Sequence, residues 1–600
     1  MEEITISING RPTACPPGTS ILQAAVRAGI SIPTLCFHEQ LKPYGACRMC
    51  LVEDEKSGRL LASCVAPVMP DMVIQTHSPR VVEHRRNIIR LMIAEHPESC
   101  IVCSKGNRCR LRQLAADIGL GETGLYPMPN SKPLEEANPF IVRDLSKCIL
   151  CASCIRADHE LVAVGAIDYN LRGFRSRPST ALEKGLEQSC CTFCGTCVSI
   201  CPTGALSVKN ERFTGTPETE ELSICGFCGV GCQLRLGVFD QNIVEVNPAQ
   251  TPDSVNTATL CVRGHFAHDF LQSRQRLLQP WLKKDGRLEP APWDEALGQA
   301  ADRLLQIKNE HGPQSIGLLG SSKCSNEENY LFQKLARASL GTSHVDNGGY
   351  VYGQAAMQYF DALSQGMCRS MPLKDLEASD LIVVLGADPG RTVPVAGYAV
   401  KQAAERGVPV ILANTLPTEL DWFARLRLPL YSSNGLDHLY PRLLTALAAA
   451  FLQRQAPDSA FLSEYTRGFD QFQTGLARID PRGLAKEINI AFEDLHRAAD
   501  FLTGGKTAFV LGQDVLQQKY AGPCLDGLFN LCLISGGLGP GRNTVHLIAR
   551  ENNLVGALDM GSVPRLLPGR LSIERPEDRA YWERLWKTTL SPDYGIDFFR

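Results

Sequence analysis

Cysteine placement constrains this chain more than any other feature: 20 of its 24 cysteines fall before Gly264, many of them in Cys-x-x-Cys pairs. The N-terminus, MEEITISING, has neither a charged-then-apolar leader nor a twin arginine. Disulfides are therefore a poor account of the cysteines, because a reducing compartment keeps thiols free. Tight Cys-x-x-Cys spacing in that setting reads as metal ligation. The spacings then decide which metal.

The rest of the composition is ordinary. A chain of 600 residues, 44% hydrophobic and 21% charged, is expected to form several globular domains. A net charge of −3 argues against a nucleic-acid footprint or a polybasic membrane contact. The longest apolar run, near residues 443–452, falls short of the ~20 residues of a transmembrane helix. A soluble cytoplasmic protein is expected, membrane-associated only through partners.

Five ligand sets follow in order. Cys36, Cys47, Cys50 and Cys64 come after an expected strand at Ile4–Ile8 and helix at residues 20–28. A long loop with two close cysteines and a distant fourth resembles the 2Fe–2S ferredoxin arrangement. Gly45 and Ala46 suit a loop wrapped tightly enough for backbone N–H groups to reach the sulfides. A zinc site is the plainer alternative.

His96, Cys100, Cys103 and Cys109 lie in HPESCIVCSKGNRC. Alone, that spacing suits zinc. Directly after a ferredoxin-like segment, it resembles the large iron–sulfur subunit of respiratory complex I, NAD-linked formate dehydrogenases and the N-terminal region of iron-only hydrogenases. The resemblance implies a 4Fe–4S cluster with one histidine and three cysteine ligands, His96 giving the nitrogen. A surface histidine is the alternative.

KCILCASC from Lys147 and CTFCGTCVSICPTGAL from Cys191 resemble a two-cluster bacterial ferredoxin, in which the fourth cysteine of each run serves the other cluster. Cys201 then completes the set of Cys148, Cys151 and Cys154. Cys191, Cys194 and Cys197 look to position 158, which is Asp158. Cys225, Cys228, Cys232 and Cys261 have the spacing of the cluster module that opens the molybdopterin oxidoreductases, with Arg263 at the family's basic position between cluster and pterin.

Five clusters of four ligands need 20; the motifs supply 18 cysteines and His96, so one is missing. Three outcomes stay open at the gap. Asp158 binds iron through oxygen, in a weaker site than thiolate gives; Cys190 substitutes after local rearrangement; or the cluster persists as 3Fe–4S.

From about residue 279 the pattern becomes α/β. Buried strands are expected at residues 315–319, 381–385, 408–413 and 508–511, with helices at residues 293–310 and 397–406. Such alternation implies parallel sheets covered on both faces, here expected as two domains, one inserted into the other. The segments SDLIVVLGADPG and LISGGLGPGRNTVHLIARENNLVGALDMG resemble the molybdopterin oxidoreductase fold. In the formate dehydrogenase branch a metal-binding cysteine or selenocysteine and a histidine follow a V-D-N segment. Here HVDNGGYVYGQAAMQ puts Tyr352 and Gly353 there, and no cysteine lies between Cys324 and Cys368. Asp437 stands near a guanine-contacting position. The chain also stops where family members continue into a β-rich cap. GGLGPG follows a helix-like run, so it lacks the strand–glycines–helix context of a phosphate loop. Cys324, Cys368, Cys524 and Cys532 share no spacing and read as buried small apolar residues.

The fold class expected is α+β and α/β multidomain. A 2Fe–2S ferredoxin-like domain (1–78) precedes a 4Fe–4S domain with one histidine and three cysteine ligands (79–120) and a two-cluster 4Fe–4S ferredoxin-like domain (138–210). A molybdopterin-oxidoreductase-type 4Fe–4S module (218–275) and truncated α/β domains (276–600) complete it. The cofactors implied are one 2Fe–2S and four 4Fe–4S clusters, one with an atypical fourth ligand, without a pterin guanine dinucleotide. Iron–sulfur clusters move single electrons, so a flavin-containing NAD(P)H-oxidising subunit and further redox subunits are implied as partners. The reading is an electron-transfer subunit whose own active site is lost. A catalytic formate dehydrogenase-like molybdenum or tungsten enzyme and a structural assembly subunit are the alternatives.

Overall fold

The structure is a computed structural model describing residues 3–97, 99–126, 133–211, 215–349, 353–364, 372–431, 438–516, 521–539 and 541–597. It divides into two compact units, Met1–Ser223 with Cys232–Gln272, and Ile224–Gly231 with Ser273–Arg600.

The first unit opens with a hairpin, Ile4–Ile8 against Arg11–Cys15. Its turn is Asn9-Gly10, both at positive φ (48° and 76°), the conformation that matches the twist of paired strands. The full sheet runs Arg11–Cys15, Ile4–Ile8, Val73–Gln75, Leu51–Asp54, Arg59–Ala62. Helix Ile21–Arg27 starts from a capping box in which Ser20 and Gln23 satisfy each other's backbone N–H. The helix adds Ile21, Leu22 and Ala25 to the core formed by Ile6, Ile8, Val52 and Ile74, and Cys50 and Cys64 belong to that same core.

Helix Pro79–Ala94 follows, with Ser78 as N-cap and proline at its first position. It buries Val81, Arg85 and Ile89, spaced four apart on one face. Further on, strands Ile141–Asp144 and Leu206–Val208 pair antiparallel and bracket the two Cys-x-x-Cys-x-x-Cys loops. The unit closes with hairpin Gln233–Phe239/Asn242–Pro248 and helix Val262–Phe266.

The second unit holds a five-stranded, wholly parallel sheet in the order Leu426–Pro429, Val410–Asn414, Leu381–Leu385, Thr507–Leu511, Thr544–Leu547. Leu381–Leu385 is buried at every position, as a sheet covered on both faces requires. A short parallel pair, Leu318–Leu319 with Val345–Asp346, stands beside helix Trp293–His311 in sequence. The strand expected from residue 315 starts later, because Pro313–Ser315 forms a single 3₁₀ turn. The helix expected at residues 397–406 starts at Pro394, where proline favours a first turn. GGLGPG follows helix Ala521–Ile534 and precedes strand Thr544–Leu547, in line with its exclusion as a phosphate loop. Among the described residues, no helix is long and apolar enough to cross a membrane.

Candidate metal centres

The four cysteines of the first set are all at most 5% exposed. Gly45 (φ 69°) and Arg48 (φ 57°) bend the loop so that the Cys47 N–H donates to Cys36 Sγ at 3.5 Å. Hydrogen bonds from Cys47 and Cys64 drive the Cys36 thiol toward thiolate, and Cys64 lowers Cys50 to about 6. Cys36 thus neighbours Cys47 and Cys64, and Cys64 also neighbours Cys50. Two buried guanidinium groups support their loops. Arg85 Nη2 donates to Leu51 O at 2.6 Å, and burial lowers its pKa to about 10. Arg156 donates to Lys42 O at 2.7 Å and to Cys36 O.

In the second set, His96 Nδ1 lies 3.2 Å from Pro97 O, while Nε2 is buried without a hydrogen-bond partner. Burial lowers the ring's pKa, favouring neutral imidazole, the form that ligates metal. Gly106 permits the turn, since a Cβ there would collide with Cys100 O. Cys109 caps helix Arg110–Asp117, and a Cβ on Gly204 would collide with Cys103 Sγ.

The third and fourth sets are copies of one loop. Leu150 (φ 54°) and Ala152 (φ 59°) flank Cys151 as Phe193 (φ 52°) and Gly195 (φ 76°) flank Cys194. In each loop the N–H before the middle cysteine donates to the first sulfur at 3.4 Å, Leu150 to Cys148 and Phe193 to Cys191. A short helix carries the third cysteine of each, Ser153–Arg156 with Cys154 and Thr196–Ile200 with Cys197. Cys148, Cys151, Cys154 and Cys201 line one cavity; Cys191, Cys194, Cys197 and Asp158 line another. Burial raises Cys151 and Cys191 to about 12, with further upward pushes from Cys201 and from Cys194 and Asp158 respectively. Cys190 is exposed, its Sγ 3.8 Å from Val164 O.

These sulfurs surround cavities; among the described residues, no three His, Cys, Asp or Glu side chains close on a point that would hold a single ion. The orphaned His96 Nε2, the N–H···S contacts and the cysteine-lined cavities fit iron–sulfur clusters. Cys36, Cys47, Cys109 and Cys151 also share one buried apolar cluster, which joins the first three sets.

Of the fifth set, Cys225 and Cys228 lie in the second unit and Cys232 and Cys261 in the first; all four are buried. Cys228 packs with Val393 and Ala396. Cys261 begins helix Val262–Phe266, which carries Arg263. Tyr352, Cys368 and Asp437 lie outside the described residues. Cys524 and Cys532 are fully buried core residues, as expected of apolar cysteines, whereas Cys324 is half-buried.

Sequence reasoning missed a polar group at the ends of the central strands of the second unit. Chain order reverses between Leu381–Leu385 and Thr507–Leu511, the position where doubly wound sheets open a crevice. Asp388 Oδ1, Gln513 Nε2 and Tyr440 Oη are buried without hydrogen-bond partners. SDLIVVLGADPG contains one of the three residues, and the strand order that gathers them is not written in any local pattern.

Five family models match in succession between residues 1 and 572: a 2Fe-2S iron-sulfur cluster binding domain (residues 1–79) and an NADH-ubiquinone oxidoreductase-G iron-sulfur binding region (85–123) come first. An NADH-quinone oxidoreductase subunit 3 ferredoxin-like domain (138–207), a molybdopterin oxidoreductase Fe4S4 domain (218–273) and a molybdopterin oxidoreductase domain (276–572) follow. The alpha subunit of an NADPH-Fe(3+) oxidoreductase of Geobacter sulfurreducens (strain DL-1 / KN400) is 30% identical, across 100% of this chain and 69% of its own length. The G 2 subunit of an NADH-quinone oxidoreductase of Rhizobium meliloti (strain 1021) is 30% identical, across 99% of this chain and 67% of its own. A chain of a solved NAD+-reducing NiFe-hydrogenase is 30% identical over 35% of this chain and 90% of its own, with a TM-score of 0.33.

Proposed function

The chain belongs to the family that holds the G subunits of NADH-quinone oxidoreductase and the alpha subunit of NADPH-Fe(3+) oxidoreductase, and we propose that within it this member is the electron-transfer subunit of a multi-subunit NAD(P)H-linked oxidoreductase. The observation that carries the reading is the shared packing of Cys36, Cys47, Cys109 and Cys151, which puts three ligand sets in one apolar core. The third and fourth sets share another, containing Cys197 with Cys154, Cys191 and Cys201 packed against it.

In this reading the ligands are Cys36, Cys47, Cys50 and Cys64 for a 2Fe–2S cluster and His96, Cys100, Cys103 and Cys109 for a 4Fe–4S cluster. Three further 4Fe–4S sites take Cys148, Cys151, Cys154 and Cys201; Cys191, Cys194 and Cys197; and Cys225, Cys228, Cys232 and Cys261. When bound, such clusters supply one-electron carriers. The protein's own contribution is to bury the sulfurs of the first and fifth sets and to hold the ligand loops, while Cys100 stays exposed. Arg156 ties Cys36 O to the helix that contains Cys154, and Lys105 Nζ donates to Val198 O at 2.6 Å, joining the second loop to the fourth. A one-electron chain needs a partner that splits hydride pairs, so a flavin-bearing subunit is the complementary component.

The test is iron, sulfide, molybdenum, tungsten and pterin analysis of the purified complex, followed by rapid mixing with NADH or NADPH. Iron near 18 per chain, negligible molybdenum and tungsten, and cluster reduction within turnover are expected, with ~18 being the sum for one 2Fe–2S and four 4Fe–4S clusters. Stoichiometric molybdenum or tungsten with formate oxidation would establish a catalytic enzyme instead. Clusters left oxidised during turnover would make the chain an assembly subunit.

A further inference from the structure

We propose that Asp158 is the fourth protein ligand of the cluster held by Cys191, Cys194 and Cys197, through a carboxylate oxygen. The inference rests on the iron–sulfur reading above and names one ligand within it.

The argument comes from an internal repeat. The loops of Cys148–Cys154 and Cys191–Cys197 share their positive-φ positions, their N–H···S contacts and the helical turns that carry their third cysteines. In the second copy, the residue four after the last loop cysteine is Cys201, and it lines the cavity of the first loop's three cysteines. In the first copy, the residue four after Cys154 is Asp158, and it lines the cavity of Cys191, Cys194 and Cys197. The crossed arrangement is therefore intact in geometry, with oxygen replacing sulfur in one of its two arms.

The carboxylate is also built in. Asp158 is 9% exposed and sits in a π-helical turn, Ala157–Leu161, a backbone form that concentrates at functional positions. Its Oδ2 accepts the Ile167 N–H at 2.9 Å, and its own carbonyl accepts the Val164 N–H at 3.1 Å. A backbone hydrogen bond of this kind orients a ligating carboxylate. Cys190 has none of these features. It is exposed, lies outside the cavity lining, and its thiol is directed at Val164 O.

An oxygen-ligated iron is held less tightly by a soft cluster than a thiolate-ligated one. The test is ferricyanide titration of the purified complex, followed by Mössbauer and EPR spectroscopy. One electron passes to ferricyanide and one Fe2+ leaves, converting a 4Fe–4S cluster to 3Fe–4S. The wild type should convert one cluster readily, and Asp158→Cys should slow that conversion by about tenfold or more. Asp158→Ala should yield the three-iron form without oxidant, while Cys190→Ala matches the wild type. The 2Fe–2S signal reports intact folding in each variant. Unchanged conversion in both Asp158 variants, or a three-iron signal produced by Cys190→Ala, overturns the assignment. A complex without clusters overturns the iron–sulfur reading, and the assignment falls with it.

Discussion

The imidazole of His265 packs against the α-carbon of Gly195 so closely that a Cβ on the glycine would collide with Nδ1 of the ring. Gly195 has φ 76° and follows Cys194 directly, so two requirements meet in one residue: a left-handed backbone and room for a buried ring. Gly165, at φ 70° with nothing within 4 Å of its added Cβ, shares only the first. Gly165→Ala should cost about 1–2 kcal/mol. Gly195→Ala should cost more and deplete the cluster signal of Cys191, Cys194 and Cys197 before that of the 2Fe–2S site. Denaturation midpoints and EPR spectra of both variants check this; equal losses would deny the ring a role.

Arg156 carries a second prediction. Its buried guanidinium reaches Cys36 O and Lys42 O from the helix that contains Cys154, binding the first ligand loop to the third. A lysine cannot span two carbonyls with a planar fork. Arg156→Lys should destabilise the fold by about 1.5–3 kcal/mol, the usual worth of a hydrogen bond to a charged group, and should perturb the 2Fe–2S EPR line shape. An unaltered line shape and midpoint would show that the loop holds itself.

Much of this architecture is legible in the sequence because ligand spacing is local. Cys148-x-x-Cys151-x-x-Cys154 states its loop in seven letters, and the strand Ile4–Ile8 announces itself by alternation. Asp158 is visible there as a gap in the pattern, but its place in the lining of the cavity of Cys191, Cys194 and Cys197, and the exposure of Cys190, are properties of packing. The join between Cys109 and Cys151 and the contact of Gly195 with His265 are likewise pairings of distant segments, which no local spacing encodes.

His96 offers a direct test of the second ligand set. Its Nε2 is buried and unpartnered while Nδ1 faces Pro97 O, an arrangement that costs free energy unless Nε2 binds something. His96→Ala should remove one 4Fe–4S signal and lower iron by up to about four atoms per chain, leaving the 2Fe–2S signal. His96→Cys should restore the iron with a shifted potential. Iron content unchanged in the alanine variant would remove His96 from the ligand list.

Glu211 gives the pH prediction. Burial lifts its pKa from 4.5 to about 7, although Arg108 and Lys105 pull the other way. Its Oε1 also accepts the Val246 N–H at 3.4 Å, and the cavity beside it is lined by Glu245, His265, His268 and Asp269. A carboxyl with a raised folded pKa holds its proton more tightly in the fold than in the unfolded chain. Its contribution is fully present below about 4.5 and is lost as pH rises through about 7, by at most about 3 kcal/mol. Glu211→Gln keeps the neutral shape at every pH. Its stability relative to the wild type should therefore rise between pH 5 and pH 8, as read from denaturant midpoints across that window. Groups that titrate outside Glu211 cancel in the difference, including the carboxylates lowered by hydrogen bonds such as Asp54. A flat difference would mean that Glu211 meets a cation in the fold strong enough to hold it ionised.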